Sequence, residues 1–303
     1  MQQFNNISSS SLSSRQHGFT LMEISIVLVI IGILVGAVVS GQHLIHSMRL
    51  SKILESYQTY TAAMTMFTER YGALPGDIPN ATEYWGEVSG TEGCISPGVV
   101  ADGGVSGNSF ASGTGTATCN GNDDDKIGDM DVPDLHHEMF RAWQHLYNAG
   151  LVSRAYTGVA GSTSSDDAEA NNNIPTGALG GSGWTLMRIK DYTGDGGSAN
   201  PVFNKSYGNV LIFGAEVDGD PTLGPILTPA EARNLDSKAD DTVASEGVIT
   251  VILDSASPTA DCTSAAGDSN LTDVTYNTAS EEIACALVFT LPTELRGPTG
   301  DSY

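Results

Sequence analysis

A single carboxylate, Glu23, interrupts an otherwise apolar segment near the start of this 303-residue chain. The segment runs from Phe19 to Ser40, and its 22 residues are enough to cross the ~30 Å hydrocarbon core of a bilayer. A carboxylate at membrane depth costs roughly 2.5 kcal/mol or more. An ammonium that pairs with it in apolar surroundings removes the desolvation penalty of both groups. The pattern therefore predicts a membrane helix in which Glu23 has a functional role.

An acidic loop in the middle of the chain has the spacing of a calcium site. Four aspartates fall on ligand positions 1, 3, 7 and 9 of a calcium loop, with Gly128 at the turn: Asp123, Asp125, Asp129 and Asp131. Two positions depart from the pattern, because position 5 is Ile127 and the shorter Asp134 replaces the closing glutamate. A solvated acidic turn before a helix is the alternative interpretation. A second candidate loop, residues 191–197, matches less well.

The four cysteines all lie outside the apolar segment: Cys94, Cys119, Cys262 and Cys285. Three pairings are possible, and spacing favours Cys94–Cys119 and Cys262–Cys285. Each bridge would close a loop of about 25 residues and contribute on the order of 3 kcal/mol. The sequence has no CxxC motif, which argues against zinc binding and thiol redox chemistry. We therefore expect two structural disulfides, formed in an oxidising compartment.

Histidines and a glutamate cluster on one short predicted helix, but their spacing does not indicate a metal enzyme. His137 and His145 are eight residues apart, too far along a helix to bind one ion together, and no HExxH motif occurs. Glu138 and Arg141 have the spacing of a surface ion pair. We expect these side chains, with His136, on the solvent side of the helix. No GxSxG motif, P-loop or dinucleotide fingerprint is found, so the sequence argues against an enzyme.

The apolar helix is expected to continue as an amphipathic helix before Gly72 and Pro75 end it. Apolar side chains recur at spacings of three and four along one stripe: Leu50, Ile53, Tyr57, Tyr60, Met64, Phe67 and Tyr71. Its three tyrosines suit packing on a sheet better than a free coiled coil. The predicted second half of the helix therefore has one face to bury against a folded head.

The rest of the chain alternates long polar loops with short regular elements. A helix is predicted over residues 134–149, and a capping box formed by Thr228 and Glu231 opens another that ends near residue 238. Four strands rich in Val and Ile are predicted at residues 184–190, 210–213, 248–253 and 284–291. Short strands joined by loops indicate an antiparallel sheet wrapped on the long helix.

Negative charge is concentrated after the long helix. The chain has 13 basic and 36 acidic residues, a net charge of −23. From Gly72 onward there are 9 basic and 33 acidic residues, a net charge of −24. Such a surface repels phosphates, which argues against a broad nucleic-acid-binding surface.

The residues around the start of the apolar segment form a motif, Gly18-Phe-Thr-Leu-Met-Glu23, after a polar, serine-rich stretch. In an ordinary secretory signal the apolar region precedes the cleavage site, whereas here it follows the glycine. This arrangement resembles the class III signal of type IV prepilins and type II secretion pseudopilins. The resemblance implies that a prepilin peptidase cuts between Gly18 and Phe19 and methylates the new amine of Phe19. Glu23 would then pair with the N-terminal amine of a neighbouring subunit.

The same resemblance implies an α+β, pilin-like fold, in which a long N-terminal helix packs on an antiparallel sheet head with long loops. It divides the chain into a cleaved leader (1–18), a transmembrane and filament-core helix (19–40), its amphipathic continuation (41–71) and an exported head (72–303). More loosely, the segments 140–146 and 235–241 also resemble large-headed bacterial prepilins.

The function that the resemblance implies is a structural subunit of a type IV pilus. A single helix would hold it in the inner membrane until an assembly platform moves it into a helical homo-oligomer on the cell surface. The alternatives are a periplasmic pseudopilin of a type II secretion system, a minor or tip pilin, and a membrane-anchored exported hydrolase. No cofactor is required by this function, and calcium is the only one that the sequence suggests.

Overall fold

The computed structural model describes residues 19–88, 116–128, 138–164, 166–189, 202–253, 261–265 and 272–297. The chain consists of two compact units, Met1–Met48 and Arg49–Tyr303. Its elements are α1 (Leu21–Tyr71), α2 (Ala81–Trp85), α3 (Glu138–Asn148), β1 (Ser182–Ile189), β2 (Gly208–Ala215), α4 (Pro229–Ala239), β3 (Ile249–Val251) and β4 (Leu287–Thr290). A long apolar helix and a four-stranded antiparallel sheet confirm the predicted α+β, pilin-like fold class. The predicted boundaries of leader, membrane helix, continuation and head remain predictions.

Helix α1 begins two residues after Phe19 and ends at Tyr71, as the apolar pattern predicts. Gly72 follows in the left-handed region (φ +77°), and its N–H donates to the Thr68 carbonyl at 2.9 Å, which closes the last turn. In the first unit the described side chains of α1 are almost all exposed. Within the described part of the chain, α1 is the helix whose length and composition would allow it to cross a membrane.

The sheet of the second unit has the order β1-β2-β4-β3, with every neighbouring pair antiparallel. All four predicted strands are found within a few residues of their predicted bounds. Strand β2 occupies the middle of the sheet, pairing Trp184 with Phe213 on one side and Phe213 with Leu287 on the other. Strands β1, β3 and β4 are buried along their whole length, and β2 up to its last residue. This burial explains why most of their side chains are apolar on both faces of the sheet.

The second unit's part of α1 packs on this sheet through the predicted stripe. Leu50, Ile53, Met64 and Phe67 are buried in the same core as the strands. The Tyr57 ring lies 5.1 Å from the Phe289 ring, and its hydroxyl donates to the Thr290 carbonyl at 2.8 Å. Tyr57 thus places its ring in the core and its hydroxyl on a backbone acceptor of β4. The stripe packs on the sheet rather than forming a free coiled coil.

Tyr60 joins α1 to both of the other layers. Its ring meets Trp143 of α3 edge-on at 5.0 Å and Trp184 of β1 edge-on at 5.9 Å. Edge-to-face contacts of this kind add about 0.5–1.5 kcal/mol to the burial of the rings. Both tryptophans are completely buried. The centre of the head is therefore an aromatic cluster contributed by α1, α3 and β1.

Helix α3 differs from the prediction because its polar face is not on the solvent side. Glu138, Arg141, Gln144 and His145 are all buried, so the predicted Glu138–Arg141 surface pair and the solvent-side position of His145 are wrong. His136 lies outside the described residues, as does His137. The loops that cover α3 explain the difference, since residues 116–128 supply backbone groups and the Thr118 hydroxyl as partners for its polar side chains. Helix α2, in turn, lies where no helix was predicted.

Candidate functional site

The first candidate site is the N-terminal end of α1, where Glu23 forms a capping box with Thr20. The Thr20 N–H donates to Glu23 Oε2 at 2.8 Å, and the Glu23 N–H donates to Thr20 Oγ1 at 3.2 Å. The Thr20 hydroxyl adds a third bond to the same carboxylate oxygen at 2.9 Å. These reciprocal bonds satisfy N–H groups that the first helical turn would otherwise leave without a partner. Sequence reasoning missed this role of Thr20, although its spacing from Glu23 was the signal.

The remaining carboxylate oxygen of Glu23, Oε1, makes no hydrogen bond to a described residue. The side chains around it are apolar and exposed, with Phe19 84% and Leu21 91% exposed. This oxygen is free to pair with a cation if the apolar surface around it becomes covered. Phe19 is present in this unit, while Gly18, the other half of the predicted cleavage site, lies outside the described residues.

The second candidate site is the acidic loop, and its centre is a residue that the sequence did not indicate. The buried Asp77 carboxylate accepts backbone N–H groups from Asp123 at 2.6 Å, Asp124 at 3.2 Å and Asp125 at 2.8 Å. Asp123 and Asp125 have positive φ of 62° and 61°, which turns their N–H groups toward Asp77. The loop thus folds as a nest of N–H groups around an internal anion.

Close approach of the two segments holds this nest together. A Cβ on Gly121 would lie 2.3 Å from the Asp77 Cα, so only glycine fits there. Glu138, at the start of α3, accepts the N–H of Asn122 at 3.1 Å and the N–H of Gly128 at 3.4 Å. The buried carboxylates of Asp77 and Glu138 therefore fix the loop by accepting its backbone N–H groups.

One oxygen each of Asp77, Asp124 and Glu138 lies within 4.8 Å of the others, an arrangement that could hold a cation. This set differs from the predicted ligands. Asp123 and Asp125 contribute backbone N–H groups at Asp77, while Asp129 and Asp131 lie outside the described residues. Calcium binding by the four predicted aspartates therefore stays a prediction. The weaker candidate, residues 191–197, also lies outside the described residues.

We expect Asp77 to make the head less stable as the pH rises from about 4 to about 7. Burial raises the pKa of its carboxyl from 3.8 to about 7, against the opposing effect of the backbone N–H groups. Over this range the folded state keeps a proton that the unfolded state has lost, so the folded state is favoured at the acidic end. In urea unfolding between pH 4.5 and 7.5, the free energy of unfolding should fall less steeply with rising pH in the Asp77→Asn variant than in the wild type.

The slope is the informative quantity, because Asp77→Asn also loses absolute stability. An amide nitrogen cannot accept the Asp125 N–H, so one loop bond is lost at every pH. The exposed Asp124→Asn should keep most of the wild-type slope, because burial is the largest cause of the raised Asp77 pKa and the Asp124 charge a smaller one. Burial also raises the pKa of Asp236, to about 6, which accounts for part of any remaining slope. An unchanged slope in Asp77→Asn would show that Asp77 titrates at an ordinary pH.

His145 is a structural residue of α3. The Gly76 N–H donates to its Nδ1 at 3.0 Å, so Nε2 carries the proton and donates to the Thr118 hydroxyl at 2.8 Å. That hydroxyl donates in turn to Gln144 Oε1 at 2.7 Å. Burial, with a smaller contribution from the nearby Arg141, lowers the pKa of His145 to about 3. A neutral imidazole with both nitrogens engaged joins α3 to two loops and offers no base for acid–base chemistry.

The predicted Cys262–Cys285 disulfide is present, with both residues completely buried. Cys119 is also buried and disulfide-bonded. Cys94, its predicted partner, lies outside the described residues. The two described segments that carry Cys262 and Cys285 are thus joined covalently, which supplies order where few apolar residues are available.

The comparisons with known proteins identify the N-terminal region alone. The family model for the prokaryotic N-terminal methylation motif matches residues 13–39. No curated protein and no solved structure matches the chain. The matched range contains Gly18, Phe19, the Thr20–Glu23 capping box and most of the exposed apolar helix. The chain therefore carries the cleavage and methylation motif of the type IV prepilin and pseudopilin family, followed by a single long apolar helix that fits a membrane-anchored precursor.

Proposed function

We propose that this protein is the structural subunit of a type IV pilus. A prepilin peptidase cuts it between Gly18 and Phe19, and its N-terminal helix assembles it into a helical filament. The observation that supports this most strongly is the motif match at residues 13–39, which coincides with an exposed apolar helix that carries one acidic residue. The precursor spans the inner membrane once, and the assembled pilus lies outside the cell.

The proposed mechanism is assembly rather than catalysis. Cleavage leaves Phe19 at the N-terminus, and its methylated amine is a cation at neutral pH. Glu23 of a neighbouring subunit pairs with that amine as the apolar helices cover one another. Because an unpaired charge in an apolar core is strongly unfavourable, the pair favours one axial register of the subunits over others. An inner-membrane assembly platform moves each subunit from the bilayer into the growing filament, and the acidic heads coat its surface.

A pseudopilin of a type II secretion system is the second candidate, since the same motif marks both classes. It would form a short periplasmic filament instead of a surface pilus. The size of the head, its four cysteines and its long loops favour the surface pilus, in which the subunit meets the outside environment. A minor or tip pilin is a variant of either function. No catalytic role is proposed, because the chemistry associated with the motif is performed on this chain by the peptidase.

Mass spectrometry of filaments sheared from the cell surface tests the proposal. We expect an N-terminal peptide that begins with N-methylated Phe19, and no free thiols. In a Gly18→Glu variant the bulky charge next to the cleaved bond should leave the uncut precursor in the membrane. Ser14→Ala, also in the leader, is the matched control and should be processed normally.

Two outcomes would contradict the pilus proposal in different ways. The processed peptide found in the cell envelope but absent from sheared filaments would favour the pseudopilin. An uncut Met1 start in wild-type cells would mean a plain membrane anchor, and the assembly mechanism would be wrong.

Calcium at the acidic loop is retained as a secondary proposal. The predicted ligands are Asp123, Asp125, Asp129 and Asp131. In the described half of this loop the buried carboxylate of Asp77 already has backbone donors on both oxygens, so a cation is not needed to satisfy it. Calcium titration of an Asp125→Asn variant, which removes one predicted ligand, tests this loop separately from the rest of the head.

A further inference from the structure

A second group of three carboxylates lies at the C-terminal end of α4. Asp236 is in the last turn, Asp240 is the C-cap residue, and Asp241 follows it. One oxygen from each lies within 4.8 Å of the others. Asp236 is completely buried, whereas Asp240 and Asp241 are exposed. The group therefore has a closed inner end and an outer end that faces solvent.

The buried member, Asp236, has one oxygen without a partner. Its Oδ2 accepts the Tyr276 hydroxyl at 2.9 Å, while Oδ1 is buried and receives no hydrogen bond from the described residues. Buried polar atoms are nearly always paired, and an unpaired carboxylate oxygen is among the costliest exceptions. Asp77, in the acidic loop, shows the contrast, since both of its oxygens accept backbone N–H groups. Burial raises the pKa of Asp236 and the nearby Thr242 N–H acts to lower it, yet Oδ1 has no hydrogen bond from the described residues, which leaves this oxygen available to a cation.

The other two carboxylates each accept a hydrogen bond on one oxygen as well. The Val248 N–H donates to Asp240 Oδ2, and the Val243 N–H donates to Asp241 Oδ1 at 2.8 Å. The second oxygen of each side chain receives no hydrogen bond from the described residues. Each of the three carboxylates thus has one oxygen oriented by the protein and one oxygen left for a ligand. This orientation reduces the ordering cost of binding a cation.

The local potential is strongly negative. The C-terminal end of a helix carries roughly half a negative charge, and its last carbonyls lack intrahelical partners. Two lysines lie nearby, Lys205 and Lys238, the second in the last turn of α4 itself. The Lys205 ammonium donates to the Gly247 carbonyl at 2.9 Å. Burial lowers the pKa of Lys205, although Asp240 and Asp241 act in the opposite direction. These two cations balance the charge of the three carboxylates only in part.

We propose that Asp236, Asp240 and Asp241 bind a divalent cation, with calcium preferred. The available donors are hard oxygens, namely three carboxylates, with water completing the shell. Calcium accepts six to eight oxygens in irregular geometry, whereas magnesium keeps several waters and usually takes one or two carboxylates. A bound ion would satisfy Asp236 Oδ1 and join α4 to the loop after it.

The test is calcium titration of the detergent-solubilised full-length protein after chelation, by isothermal calorimetry and thermal unfolding. We expect saturable binding that raises the unfolding temperature. Asp241→Asn, an exposed change without risk to folding, should weaken binding at least about tenfold. Asp236→Asn should abolish it while keeping an acceptor for the Tyr276 hydroxyl, so this variant should fold.

Two controls separate this site from the rest of the acidic surface. Glu282→Gln removes an exposed charge elsewhere and should leave calcium affinity unchanged. Asp125→Asn removes a predicted ligand of the acidic loop and should leave calcium binding at α4 unchanged. If the number of bound ions and their affinity are unchanged in both Asp236→Asn and Asp241→Asn, the proposal is overturned. It is also overturned by no binding at about 10 mM calcium, well above the weakest calcium sites of extracellular modules. Magnesium giving the same shift at equal concentration would overturn the calcium preference.

Discussion

Replacing Glu23 with alanine is expected to leave the protein processed and in the membrane but absent from filaments. The cleavage site lies upstream of this position, and the change makes the helix more apolar, so insertion and processing should continue. Assembly should fail because the N-terminal amine of each neighbour would enter the apolar core without its anion. Removing one partner of a buried ion pair costs about 3–5 kcal/mol. This cost lowers the equilibrium constant for adding a subunit to the filament by more than about a hundredfold.

The capping box in the structure supplies a sharper variant than alanine. Glu23 accepts two hydrogen bonds from Thr20, so Glu23→Ala removes both the charge and the cap, and the cap alone contributes about 1 kcal/mol. Glutamine can take the place of glutamate in a capping box, so Glu23→Gln removes the charge and keeps the cap. If charge pairing drives assembly, the glutamine variant should fail as completely as alanine. If the cap matters instead, glutamine should restore filaments.

The measurement is an immunoblot of sheared surface material against the membrane fraction of the same cells. Ser25→Ala is the matched control, since it removes an exposed polar side chain two residues away whose hydroxyl only bonds the Met22 carbonyl. It should leave filament yield unchanged. A normal yield of filaments from Glu23→Gln would exclude the ion pair as the determinant of register.

The long helix and the four strands could be predicted because each leaves a periodic or continuous apolar pattern. The stripe from Leu50 to Tyr71 repeats every three or four residues, and the structure buries that face on the sheet. The strands appear as short runs of Val, Ile and Leu, which suits strands covered on both faces. The capping box at Thr228 and Glu231 is also present, since its two reciprocal bonds depend only on residues three apart. Local patterns of this kind need no knowledge of tertiary contacts.

Polar groups that are buried by distant loops could not be predicted in this way. Glu138, Gln144 and His145 look like a solvent face by periodicity, yet loop residues 116–128 cover them and supply their partners. Asp77 precedes its loop by more than forty residues, so no spacing rule connects the two. The site at α4 is intermediate, because Asp236, Asp240 and Asp241 are close in sequence but the burial of Asp236 depends on Tyr276. Sequence reasoning therefore misses the buried carboxylates whose hydrogen-bond partners lie in distant segments of the chain.

Removing the Cys262–Cys285 disulfide should lower the free energy of unfolding by about 3 kcal/mol. The two cysteines are separated by 23 residues, and closing a loop of that length in the unfolded chain costs about that much entropy. Alanine is the suitable replacement for both, because serine would place unpaired hydroxyls at two completely buried positions. Urea unfolding of the detergent-solubilised protein can be monitored by tryptophan fluorescence, since Trp143 and Trp184 lie buried in the core.

The position of this disulfide explains why its loss should also destabilise the sheet. The backbone of Cys285 exchanges hydrogen bonds with Leu227, just before α4, while the Cys262 carbonyl accepts the Asn277 N–H at 2.9 Å. The bridge therefore ties a loop to the segment that leads into β4. Reductant should destabilise the wild type by more than it destabilises the double alanine variant, in which only the bond of Cys119 remains to be reduced. Equal effects of reductant on the two proteins would mean that the Cys262–Cys285 bond contributes little, and that apolar packing of β4 alone orders this part of the head.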